Sequence, residues 1–135
     1  MNKFFLLLFV FYFSFSQSEK THIIYFETDK YNVLEIEKNR LLLFAEKIKK
    51  EKIKKISIYG FCDDRGSNSY NLILSQNRAN TIKNILLKVL LKPELITNVD
   101  GKGELLLEFV KTDDISIARG LNRKVEIRVE LFEEI

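Results

Sequence analysis

Two residues of opposite charge bracket a loop in GFCDDRGSNSYNLILSQNRAN, Gly60 to Asn80. Asp63 closes a strand-like run and Arg78 sits on the helix-like run that follows. A carboxylate can take an ammonium group, and a guanidinium can take a carboxylate through two parallel N–H donors. Asn71, Leu74, Ser75 and Arg78 stand at i, i+3, i+4 and i+7, so one helix stripe carries them. The loop ahead of a helix also presents free backbone N–H groups, which favour anions. The chemistry this allows is capture of a zwitterion, its two charges held by opposite walls. The same two residues suit a structural ion pair tying loop to helix, which if exposed contributes only about 0–1 kcal/mol. Spacing alone leaves both readings open.

Other chemistries lack the residues they need. Cys62 stands next to Asp63, but a nucleophilic cysteine needs a nearby base. The chain has one histidine, His22, which opens a separate strand-like run. Cys62 therefore reads as a small, half-buried residue, and we expect no catalysis. One cysteine and one histidine cannot assemble a zinc site, nor can a single cysteine form an intramolecular disulfide. Asp29, Asp63 and Asp64 lack the further oxygen ligands a calcium site requires. No metal or cofactor is implied.

The elements that must position Asp63 and Arg78 are legible in outline. HIIYFETD, His22 to Asp29, is β-branched and aromatic and reads as a strand. Leu34, Leu41, Phe44, Ala45 and Ile48 recur near a 3.6 period and predict an amphipathic helix from about Leu34 to Lys52. KKISIYGF, Lys54 to Phe61, predicts a second strand. A second helix follows the loop, with Leu72, Ala79, Ile82, Leu86 and Val89 on one face, Asn68 or Ser69 as N-cap, and Pro93 beyond its end. LITNVDGKGE predicts a short strand and a glycine-rich turn. In NRKVEIRVELF, Val125, Ile127, Val129 and Leu131 alternate with charged residues, as in a strand with one wet face. The order is β-α-β-α-β-β. The expected fold is an α+β two-layer sandwich, a mixed sheet with two helices on one face and Glu126, Arg128 and Glu130 on the other.

The 135 residues suit one domain, and 46% apolar content suffices for one core. Charged residues make up 30% with a net charge of only +3, so no nucleic-acid partner is expected. The run KIKKEKIKK, Lys47 to Lys55, reads as the solvated end of a helix, with a membrane or polyanion patch as the alternative. The first residues differ in kind. Lys3 precedes an apolar run from Phe4 to Phe13, and Ser14 and Ser16 precede Gln17. This is the layout of a secretory signal peptide over 1–16, too short for a bilayer span of about 20 residues. We expect residues 17–135 to form the mature, exported domain, with no membrane span and no lipid-anchoring cysteine; an uncleaved anchor is the alternative.

The stretch from Gly60 resembles the signature of OmpA-like domains, the peptidoglycan-binding modules of OmpA C-terminal regions, Pal lipoproteins and MotB. Gly60, Asp63, Gly66, Tyr70, Asn71, Leu74, Ser75, Arg78 and Ala79 fall in register with it. IYFETDKYNV resembles the family's first block, and VDGKGE and NRKVEI its closing blocks, so the likeness runs from about His22 to Glu130. The resemblance implies a non-catalytic module that grips the diaminopimelate of a peptidoglycan stem peptide in the periplasm, at the cell wall or outer membrane. Asp63 would take that residue's ammonium and Arg78 its carboxylate. Asn71, Leu74, Asp29 and Arg123 would form the rim or orient the others, while Tyr70 and Ala79 would pack. Asn122 and Arg123 suit a brace for the sheet equally well. Phe61-Cys62 replaces the family's usual His-Thr, and Lys124 a usual Arg; neither change removes a charge. The alternative function is an adaptor that keeps the fold to dock on an outer-membrane or other envelope protein.

Overall fold

A computed structural model describes residues 18–89, 92–107 and 111–133. The expected signal segment lies outside them. Four strands, β1 (Glu19–Tyr25), β2 (Ile53–Cys62), β3 (Ile96–Glu104) and β4 (Lys124–Leu131), alternate with helices α1 (Glu35–Ile48), α2 (Asn68–Val89) and α3 (Ile115–Asn122). The sheet order is β1-β4-β2-β3. β4 runs antiparallel to both β1 and β2, and β2 runs parallel to β3. β1 and β2 therefore point the same way with the last strand inserted between them, and α1 and α2 are the crossovers that parallel strands require. This is the expected α+β sandwich with a mixed sheet, with one further helix.

Register places the core. Ile24 faces Val125, Ile58 faces Ile127 and Ile56 faces Val129. Because side chains alternate between faces, these residues and Leu131 all point at Leu41, Ala45 and Ile48 of α1 and Ala79, Ile82 and Leu86 of α2. The other face carries the intervening charges, paired as Lys124–Glu126 and Arg128–Glu126 (both 2.9 Å) and Lys55–Glu130 (3.3 Å).

Local details differ from the sequence reading. α1 ends at Ile48, short of Lys52, because the chain must turn to bring Ile53 into β2. Ser67, rather than Asn68 or Ser69, caps α2: its Oγ accepts from the Tyr70 N–H (3.2 Å) and its carbonyl from the Asn71 N–H (2.9 Å). Leu72 is exposed; the buried stripe of α2 runs instead through Asn71, Leu74, Ser75 and Arg78 to Ala79, Ile82 and Leu86. α3 went unforeseen, although Asp114 caps it by accepting from the Ile117 N–H (3.2 Å).

Both sheet edges are covered by side chains. α2 lies so close that a Cβ on Gly60 would strike the Ser75 carbonyl oxygen, and one on Gly101 the Gln76 backbone nitrogen. That approach lets Gln76 bridge edge strand β3: Nε2 donates to the Val99 carbonyl (3.1 Å) and Oε1 accepts from the Gly101 N–H (2.8 Å). At the β1 edge, buried Glu37 accepts from the Tyr25 N–H (3.2 Å). His22 stacks on Phe44 of α1 at 4.9 Å, with Nε2 buried and unpartnered among the described residues.

Burial lowers the His22 pKa from 6.5, with Glu37 opposing and Arg40 adding to the shift. Near that value the unfolded chain binds a proton that the native chain does not. Stability is therefore complete above about pH 6.5 and falls as pH drops toward the folded value. Urea midpoints measured between about pH 7.5 and 5 should fall on acidification, and His22→Phe should flatten that fall. An identical acid slope in the variant would assign the proton elsewhere.

Candidate functional site

The cleft is built at the C-terminal end of β2. Asp29, Asp63, Asn71, Leu74, Arg78 and Arg123, the residues singled out from the sequence, all line one cavity of about 230 Å³. Thr28, Cys62, Arg65 and Gly66 complete its wall.

Arg78 is almost fully buried, 1% exposed. Nε donates to the Lys30 carbonyl (2.8 Å), Nη1 to the Phe61 carbonyl (3.0 Å) and Nη2 to the Glu27 carbonyl (3.0 Å). Nη1 also reaches Cys62 Sγ at 3.6 Å, and the guanidinium lies over the Phe26 ring at 5.3 Å. One side chain thus ties the β1–α1 loop to the end of β2. A guanidinium has five N–H donors, so one Nη2 hydrogen remains without an acceptor among the described residues. No carboxylate among them pairs with Arg78, and burial pulls its pKa down. The alternative of a direct Asp63–Arg78 ion pair is not what the geometry shows.

Asp63 is buried one residue beyond β2. Its Oδ1 accepts from the Arg65 N–H (3.0 Å) and Nε (3.2 Å), and its Oδ2 from Arg65 Nη2 (2.8 Å) and Arg123 Nη1 (3.3 Å). Burial pushes this carboxyl up, and the bonds from Arg65 and Arg123 together outweigh it, leaving it below the ordinary 3.8. Asp63 is therefore an anion at neutral pH. Its neighbour Asp64 turns the other way, to Arg119 of α3 (2.8 and 3.2 Å). That pairing anchors α3 beside the loop, and α3 in turn delivers Arg123.

Arg123 braces the sheet and also reaches Asp63. Its Nε donates to the Phe26 carbonyl (3.0 Å), and its own carbonyl accepts from the Phe26 N–H (2.9 Å), bracing the end of β1 while Nη1 touches Asp63. Asn122 is buried outside the cleft, with Nδ2 on the Leu105 carbonyl (3.1 Å). Asn71 shapes the loop: Nδ2 donates to the Arg65 carbonyl (2.8 Å) and its carbonyl accepts from the Cys62 thiol (3.3 Å). Leu74 supplies the apolar wall. Asp29 adopts a left-handed backbone (φ 58°), a conformation aspartate tolerates better than most residues, and accepts from the Tyr70 hydroxyl at 3.2 Å. Tyr70 is exposed and orients Asp29, so it is not the packing residue expected; Ala79 does pack in the core.

Arg65 was missed, although it lies within the quoted stretch. It is held two residues from Asp63 by the backbone turn, and its Nη2 crosses the cleft to Thr28 Oγ1 (3.2 Å). Burial pushes the Cys62 thiol up despite nearby Arg78, and His22 is not among the cleft residues. Among the described residues no cluster of three or more His, Cys, Asp or Glu could hold a metal ion. What the cleft offers is a carboxylate, a guanidinium and an apolar side chain, all lining one cavity without a direct bond between the two charges.

The chain matches the OmpA family over residues 25–123. Its fold is similar to that of the peptidoglycan-associated lipoprotein from Burkholderia pseudomallei, at 24% identity and TM-score 0.63, covering 82% of this chain and 89% of that one. It is similar also to the cell wall anchor of the T6SS from Pseudomonas aeruginosa, at 24% identity and TM-score 0.69, with coverages of 84% and 82%. The periplasmic domain of Helicobacter pylori MotB aligns at 18% identity and TM-score 0.66, covering 87% of this chain and 79% of that chain. At these identities the likeness speaks to the fold.

Arg78→Lys keeps the charge but loses the planar fork that reaches three carbonyls. We expect a loss of about 1–3 kcal/mol in urea unfolding from the stranded acceptors. An unchanged midpoint would mean those three bonds contribute nothing to stability.

Proposed function

The chain belongs to the OmpA family, and from that premise we propose that it is a non-catalytic peptidoglycan-binding module whose cleft takes the zwitterionic end of a stem-peptide diaminopimelate. The observation that carries this reading is the Arg78 guanidinium, buried in the cleft wall with backbone acceptors and no carboxylate among the described residues. A guest carboxylate supplies the missing countercharge and meets the remaining Nη2 hydrogen. The guest ammonium goes to Asp63, which is ionised and faces the same cleft. Leu74 takes the methylene chain between them, while Asn71, Asp29 and Arg123 hold the rim in shape.

Asp63 is not empty-handed, so the ammonium must displace or share a donor. The Arg65 side chain is 45% exposed and that of Arg123 only 18%. Arg123 also braces the Phe26 backbone, so Arg65 is the one that yields. The peptidoglycan-associated lipoprotein and the cell wall anchor among the similar structures support a wall ligand by their names. The setting we propose is the periplasm, reached through a signal peptide over 1–16, with residues 17–135 as the wall-bound domain. Among the described residues no helix is long and apolar enough to cross a membrane.

A pull-down on purified sacculi, with free diaminopimelate as competitor, tests the assignment. Wild type should be retained and displaced by the competitor. Asp63→Ala and Arg78→Ala should each weaken binding by about 2–5 kcal/mol, because each leaves a guest charge desolvated and unpaired. Arg65→Ala should bind more tightly than wild type, since it frees Asp63 while leaving Arg123 in place. Retention indifferent to all three changes would point to the adaptor reading, in which the fold serves docking to an envelope protein.

A further inference from the structure

The opposite end of β2 opens on another cavity, of about 440 Å³. Ile53, Leu95 and Phe132 form its apolar floor, and Lys49, Lys52 and Lys92 stand around it with Glu51. Ile53 begins β2 and Cys62 ends it, so a strand of 10 residues separates the two cavities by roughly 30 Å.

Two features of this end point to one partner. First, Phe132 is 55% exposed although its backbone is fixed, its N–H donating to the Lys52 carbonyl at 2.9 Å. A large aromatic ring is held outward there. Second, the surrounding charge is mainly cationic: Lys49, Lys52 and Lys92 stand at the cavity with Glu51, and Lys50 and Lys54 belong to the same run. Lys49 also meets Glu46 at 3.1 Å, and Lys55 is held by Glu130 on the sheet face. Glu51 is already engaged by Lys20 at 2.7 Å.

An apolar floor ringed by long cationic side chains suits the boundary of an anionic bilayer, where aromatic and aliphatic groups enter the headgroup layer and lysines extend to the phosphates. We propose that this end docks reversibly on an anionic lipid surface, with Phe132 and Leu95 at the headgroup boundary and Lys49, Lys52 and Lys92 on lipid phosphates. The proposal stands on different residues from the zwitterion cleft and does not depend on it. Together the two ends would hold a wall polymer and a membrane leaflet about one strand length apart.

Vesicle co-sedimentation of the full chain tests it. Wild type should partition more strongly onto vesicles containing about 30% phosphatidylglycerol than onto pure phosphatidylcholine, and the excess should fade with added salt. Lys52 and Lys92 are exposed, so replacing them should leave the urea midpoint unchanged. At about fivefold per lysine, Lys52→Ala with Lys92→Ala should lower anionic partition by roughly 25-fold. Phe132→Ser should lower it further without changing the salt dependence. The apolar N-terminal run is common to every variant, so it cannot produce these differences. Equal partition onto the two vesicle types, or a double lysine variant that partitions like wild type, overturns the proposal. That is also the result expected if an acidic protein is what covers this face.

Discussion

A buried guanidinium with no carboxylate to answer it among the described residues is the constraint on which the cleft depends. Removing a charge from water is costly, and the usual remedy is an ion pair. Arg78 instead spends its donors on the carbonyls of Glu27, Lys30 and Phe61. Carbonyl dipoles offset part of the cost without cancelling the charge. The same bonds fix the β1–α1 loop against the end of β2, so holding the charge and shaping the cavity are one act. Its charge is thereby left without a bonded carboxylate among the described residues.

Asp63 follows the opposite strategy and is supplied with donors in excess. The two residues are complementary in state as well as in sign: one lacks a counterion and the other has spare ones. α3 sets the balance from a distance, since Asp64 holds Arg119 and the residue just past that helix is Arg123, which braces β1 and reaches Asp63.

Legibility in the sequence tracked how local each signal was. The alternation in Lys124–Leu131 announced β4 and its wet face because period-two patterning is written residue by residue. The stripe through Asn71, Leu74, Ser75 and Arg78 was visible as spacing, and the resemblance to OmpA-like domains added Asp29 and Arg123 from distant parts of the chain. The partners of Arg78 left no trace, because they are backbone carbonyls and any side chain could have stood at those positions. The Arg65 N–H bond to Asp63 is an Asx turn that aspartate favours, but the added bonds from the Arg65 guanidinium depend on how its long side chain folds back, which spacing does not write. α3 escaped notice because Ile115, Ile117 and Leu121 remain exposed, so the helix carries little of the buried stripe that betrays α2.

The position of β4 bears on how such a chain acquires its shape. β1 and β2 share no backbone bonds; both pair with the strand encoded last. While a ribosome still holds the stretch that forms β4, the sheet lacks its middle and neither helix has its full floor. Pairing of such distant segments is slow and close to all-or-none. The polypeptide can therefore remain pliable as it emerges and snap into a single cooperative unit only once β4 is free to insert between β1 and β2.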